Sequence, residues 1–128
     1  MPLLFVNGTL MRGLALHGNL AGARFLGKLR TAPAYRLHSI GDVHPGMVRD
    51  DERGSSLMGE LYELPDDVLA RVEAGEPPGL YVGEVELEDG RVVPGVLYRA
   101  ELAAAHPEIT HHGGWRAYLA ARGAVGGG

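Results

Sequence analysis

The feature that most constrains this chain is its opening run, Leu3-Leu4-Phe5-Val6, which stops abruptly at Asn7-Gly8. Four consecutive apolar residues are too few for a buried helix and lack the alternation of a half-exposed strand. They therefore read as a strand buried on both faces at the centre of a sheet. Asn and Gly both accept positive φ, so the strand ends in a turn through Asn7, Gly8, Thr9 and Leu10. A turn placed there offers backbone N–H groups at one spot, where a small anion could be held. An ordinary turn without a ligand explains the same residues.

The rest of the chain favours short elements. Twenty glycines and eight prolines in 128 residues punctuate it too often for a helix bundle. Strands are expected over 23–29, 35–40, 57–64, 81–88 and 92–98. The segment 81–88 alternates, with Tyr81, Gly83, Val85 and Leu87 on one face and Glu84, Glu86 and Glu88 on the other. Asp89-Gly90 after it matches a two-residue hairpin turn. In 57–64, Met58, Glu60 and Tyr62 share one face and Leu57, Gly59 and Leu61 the other. His44-Pro45-Gly46 reads as a turn, and 11–20 as a weak helix or loop.

Pro65-Asp66-Asp67 is a helix start, with proline tolerated in the first turn and acids suited to the positive end of the dipole. That helix should run from about 66 to 73 and stop at Ala74-Gly75. A short helix over 100–105, a loop over 110–114 and a last helix opening at Trp115 complete an α+β domain. Trp115, Tyr118 and Leu119 face its core. Residues 1–123 form one domain and 124–128 a glycine-rich tail.

Composition excludes several chemistries. There is no cysteine, so thiol nucleophiles, disulfides and cysteine-ligated zinc are absent. The six histidines are scattered, only His111 and His112 are adjacent, and no metal site or cofactor is expected. A formal charge of −4 gives no electrostatic reason to bind nucleic acid or an anionic membrane. No apolar segment approaches the ~20 residues of a membrane span, and no basic leader precedes the first strand, so a cytoplasmic protein is expected. Ser39, Ser55 and Ser56 lie in no Gly-x-Ser-x-Gly context, and phosphate-loop and dinucleotide fingerprints are missing.

The remaining chemistry-bearing candidates are acids and arginines. Glu73 falls in the last helical turn, at the negative end of the dipole, where an acid is unfavourable by ~0.3–1 kcal/mol. Turned inward, it would be a general acid/base near neutrality; turned outward, it is a solvated carboxylate. Glu76 poses the same choice. Arg12, Arg36 and Arg49 could each pair with a carboxylate substrate, and Arg12 stands nearest the opening turn.

Val6-Asn7-Gly8-Thr9-Leu10 behind a buried strand resembles the Tyr-Gly-Ser/Thr-Leu signature of the gamma-glutamylcyclotransferase-like superfamily, with Asn7 in place of the aromatic residue. Gly59-Glu60-Leu61-Tyr62-Glu63-Leu64, the stretch 69–73 and Gly79-Leu80-Tyr81 are similar to its strand, helix, acid and Tyr-led strand. Longer segments resemble the C-terminal domain of allophanate hydrolase, which shares that fold. These are Arg30-Thr31-Ala32-Pro33-Ala34-Tyr35-Arg36-Leu37, Pro45-Gly46-Met47-Val48-Arg49, Val85-Glu86-Leu87-Glu88-Asp89-Gly90-Arg91 and Gly113-Gly114-Trp115-Arg116-Ala117-Tyr118-Leu119.

The resemblance implies a small mixed β-barrel with flanking short helices and a pocket at the end of the first strand. Two activities follow from it. In the cyclotransferase type, Asn7, Gly8, Thr9, Leu10, Arg12 and Tyr81 bind a γ-glutamyl or related small amide carboxylate. Glu73, with Glu76 as its rival, then moves the proton. In the allophanate type, a carboxylated urea derivative of N-carboxycarbamate type is decarboxylated or bound, residues 31–37 and 113–119 line the pocket, and Glu73 is dispensable. An amidase acting in trans is then a natural partner. A non-catalytic binding module is the third alternative, and the oligomeric state is left open.

Overall fold

The computed structural model describes residues 2–8, 10–12, 17–75 and 79–126. The opening run forms β1 (Leu3–Val6), whose Leu4, Phe5 and Val6 are almost wholly buried. It lies at the centre of a five-stranded sheet, as a strand apolar on both faces must. In chain order the other strands of that sheet are β2 (Arg24–Arg30), β5 (Met58–Glu63), β6 (Leu80–Glu86) and β7 (Val92–Tyr98). The spatial order is β2-β5-β1-β7-β6. β1 runs antiparallel to β5 and parallel to β7, so the sheet is mixed.

The two edge strands are tied together by a bridge between Thr31 and Leu87, just beyond their ends. Ala32 N–H donates to Glu86 O, and Glu88 N–H to Arg30 O, each at 3.0 Å. Thr31 is fully buried there; its hydroxyl donates to Ala32 O and accepts from Leu57 N–H. This bridge curls the sheet at one end, in the manner of the small barrel expected.

A separate two-stranded hairpin, β3 (Tyr35–Ile40) and β4 (His44–Arg49), packs beside β7. Here the structure corrects the sequence reading, because His44, Pro45 and Gly46 are strand residues, paired with Ile40, Ser39 and His38. The turn is Gly41-Asp42-Val43 instead. Proline donates no ladder bond, and a two-stranded sheet, in which both strands are edges, tolerates that loss.

The second hairpin is also adjusted. Glu86 pairs with Val92, Leu87 N–H donates to Arg91 O, and Gly90 has φ +91°. The connection is therefore a three-residue loop, 88–90, with its glycine left-handed. Asp89 and Gly90 form the turn, with Glu88 added.

Helix α1 (Asp66–Ala74) starts after Pro65, carries Asp66 and Asp67 in its first turn, and buries Val68 and Val72. α2 (Ala100–Ala103) is a single turn. α3 (Trp115–Gly126) follows a 3-10 turn at Thr110–His112 and a left-handed Gly113. Trp115 enters the core, and Tyr118 and Leu119 pack against it, as expected. Among the described residues no helix is long and apolar enough to cross a membrane.

Candidate active site

The turn after β1 meets Glu60, an acid the sequence reading left without a role. Val6 and Glu60 are register partners across β1 and β5, and Lys28 pairs with Glu60 from β2. The chain past Val6 doubles back through a turn closed by Met11 N–H donating to Gly8 O at 2.9 Å. The next amide, Arg12 N–H, donates to Glu60 Oε1 at 2.9 Å. The amide just past the turn is thus engaged by the protein's own carboxylate.

Glu60 is 1% exposed, and three further donors surround it. Tyr62 O–H donates to Oε1 at 3.0 Å, Arg116 Nη2 to Oε2 at 3.2 Å, and Arg12 Nε stands 3.8 Å from Oε2. Burial is the largest influence on the carboxyl and raises its pKa. The hydrogen bonds from Arg12 N–H, Tyr62 and Arg116 outweigh it, and Glu60 is held below the ordinary carboxylate value. Tyr62 is pushed up, by its burial and by the Glu60 charge. The Arg12 guanidinium also lies over the Phe25 ring, 3.9 Å from its centroid.

Glu60 lines a cavity of about 260 Å3. Lys28 and Arg30 from β2 form one wall, Met11 and Met58 another, and residues 112–117 the third. Neither Lys28 nor Arg30 has an ion-pair partner among the described residues, although Glu60 is already matched by two arginines. The cavity is therefore cationic inside a chain of net charge −4. Such a surplus suits an anionic ligand.

The residues expected to form the site are dispersed. Asn7 is buried, and its amide donates to Met47 Sδ at 3.0 Å. Gly8 packs so closely on Pro45 that a Cβ there would lie 2.6 Å from Cδ. Leu10 belongs to the core. The crevice beside Asn7, Gly8 and Leu10 holds about 20 Å3, room for about one water. Arg12 reaches Glu60, through its backbone N–H and its guanidinium. Thr9 and Glu76 lie outside the described residues.

Tyr81 is 47% exposed on β6 and lines a different surface groove with Arg99 and Glu101. Glu73 is exposed on α1 beside Leu69, Val82 and Glu84, and lines neither the crevice nor the Glu60 cavity. Arg36 is engaged by Glu108 and Asp50, and Arg49 by Asp51 and Glu86. The His111 and His112 rings lie tilted against each other with centroids 4.2 Å apart, and no cluster of metal-ligating side chains occurs among the described residues. Of the segments assigned to the allophanate type, 113–117 line the cavity, whereas 31–37 do not.

Comparison with known proteins agrees with this architecture. The family model of the allophanate hydrolase C-terminal domain matches residues 2–120. The crystal structure of c4763, a uropathogenic E. coli-specific protein, is 45% identical, with a TM-score of 0.89 over 93% of this chain and 95% of that one. Urea amidolyase of Saccharomyces cerevisiae is 33% identical over 91% of this chain, which spans only 7% of that protein's length. A putative gamma-glutamylcyclotransferase of Methanocaldococcus jannaschii is 29% identical over 77% of this chain and 83% of its own.

Proposed function

The chain belongs to the allophanate hydrolase C-terminal domain family, which has the gamma-glutamylcyclotransferase-like fold, and we propose that it decarboxylates a small carboxylated urea derivative in the Glu60 cavity. The observation that carries this reading is the meeting of two exposed cations, Lys28 and Arg30, which have no ion-pair partner among the described residues, with a buried ionised carboxylate and residues 113–117 at one cavity. A ligand of N-carboxycarbamate type has two carboxylates joined by one N–H. Its charges suit Lys28 and Arg30, and its N–H suits Glu60, which is ionised and can only accept.

The reaction breaks one C–N bond. The carboxyl group leaves as carbon dioxide, and the bonding pair stays on nitrogen, which takes a proton to give carbamate. Met11, Met58 and Trp115 supply an apolar wall against which the departing carboxylate loses its hydration, a change that favours release of neutral carbon dioxide. His112 lines the same cavity and supplies the proton. The substrate comes from a reaction that hydrolyses an amide to expose the second carboxylate, which makes an amidase the upstream partner. The matched segment of urea amidolyase likewise lies within a much longer protein.

Carbon dioxide release from N-carboxycarbamate, generated in situ by a separate amidase, tests this. The purified protein is expected to raise the rate above buffer alone, a Lys28→Ala/Arg30→Ala variant to lose most of the gain, and Glu73→Gln to keep it. A rate equal to buffer overturns the reading. Release of 5-oxoproline from γ-glutamyl amino acids, lost in Glu73→Gln, would instead establish the cyclotransferase type.

A further inference from the structure

One polar cluster outside the cavity is linked to its lining by ring contacts of Tyr118. Asp42 sits in the β3–β4 turn with φ +58°, the one positive φ of a non-glycine residue among those described. Aspartate tolerates that conformation better than most side chains, yet glycine adopts it freely. What the aspartate gains there is a set of donors. Ser39 O–H donates to Oδ1 at 2.5 Å from its own hairpin, and Tyr118 O–H donates to the same oxygen at 2.6 Å from α3. Arg122 Nη2, one turn further along α3, stands 3.6 Å from Oδ2.

α3 is held to the rest of the described protein by two sets of polar side-chain tethers. Arg116 binds Glu60 and Arg12 O inside the site. Tyr118 and Arg122 bind Asp42 outside it. The Tyr118 ring then touches two cavity residues, edge-on to His112 at 5.2 Å and tilted against Trp115 at 5.4 Å between centroids. A hairpin turn on another element is thereby joined, through Tyr118, to two residues of the cavity's third wall.

We propose that Asp42 is a positioning residue for the Glu60 cavity, holding α3 through Tyr118 and Arg122 so that His112, Trp115 and Arg116 form its wall. The inference rests on the reading of that cavity as the ligand site. Asp42 makes no contact with the ligand. Its effect passes through packed groups, as a fixed supporting shell acts on the groups it orients.

The chain's single tryptophan is Trp115, so its fluorescence reports this wall without a label. Acrylamide quenching and the dissociation constant of malonate, a stable analogue in which CH2 replaces the N–H, are measured for wild type and three variants. Asp42→Gly keeps the backbone conformation without strain and removes the acceptor. Tyr118→Phe keeps the ring and removes the donor. Asp42→Asn keeps an acceptor oxygen and tolerates the same φ.

Asp42→Gly and Tyr118→Phe are expected to quench more readily and to bind malonate roughly three- to thirtyfold more weakly. Asp42→Asn should stay near wild type, with melting temperatures alike throughout. Wild-type quenching and affinity in Asp42→Gly overturn the proposal. If that variant does not fold, Tyr118→Phe decides by the same criteria. If wild type binds no malonate, the ligand reading fails, and quenching alone decides the role of Asp42.

Discussion

A carboxylate with 1% exposure survives in a protein only when its surroundings replace its water, and Glu60 shows how that is done here. A backbone N–H, a phenol and two guanidiniums take the place of solvent. Glu60→Gln would keep the shape and remove the charge. Its amide cannot accept at both ends, so an NH2 would face Arg116 or the Arg12 and Tyr62 donors. We expect a loss of about 2–3 kcal/mol in urea unfolding at neutral pH, reduced from the full cost of a broken buried pair because both arginines are half-exposed. Because the folded pKa of Glu60 is depressed, its contribution is complete above the unfolded carboxylate value and fades as pH falls through the folded one. The gap between wild type and Glu60→Gln should therefore narrow in acid, and a gap independent of pH would contradict this account. Glu60 itself was legible only as one member of an alternating strand. Nothing near Met58-Gly59-Glu60 reveals that Arg12, 48 residues earlier, and Arg116, 56 later, converge on it. Glu73 illustrates the reverse case, since its place at a helix end is a local fact and its exposure is a tertiary one.

Elements with strong local signals were the readable ones. The β1 run, the Pro65-Asp66-Asp67 helix start and the β6–β7 hairpin all carry their instructions in contiguous stretches of chain. The β3–β4 hairpin was half-read, because His44-Pro45-Gly46 has turn residues in a strand and Gly46 is required by Tyr98, whose ring a Cβ would meet at 2.8 Å. Turn composition signalled freedom, whereas the fold uses it for close approach. The same logic governs Gly8, where Pro45 Cδ leaves no space for a side chain. Gly8→Ala must push the β1 turn away from β4, and overpacking of this kind costs about 1–3 kcal/mol. Urea titration would show it as a lower midpoint with an unchanged slope. Wild-type stability in Gly8→Ala would mean that turn and hairpin are not in firm contact.

At the scale of the whole molecule, a curled mixed sheet brings Met11 beyond β1, the first half of β5, the edge strand β2 and the entry to α3 to one cavity. Fold and family were legible because the resemblance rested on segments spread along most of the chain. The candidate cavity was less so: its lining overlaps the segment 113–119 that the resemblance pointed to, and Arg12 contacts Glu60, whereas Lys28, Arg30 and Glu60 had been given no role. No segment of sequence contains the cavity, which is assembled by register across β1, β5 and β2. Decarboxylation there requires the cavity to bind a small dicarboxylate through Lys28 and Arg30. Calorimetric titration of malonate into wild type and Lys28→Ala/Arg30→Ala tests this most directly. Wild type is expected to bind with an affinity that weakens as salt is raised, and the double variant to lose about tenfold or more. No binding by wild type, or equal affinity in both proteins, would contradict it.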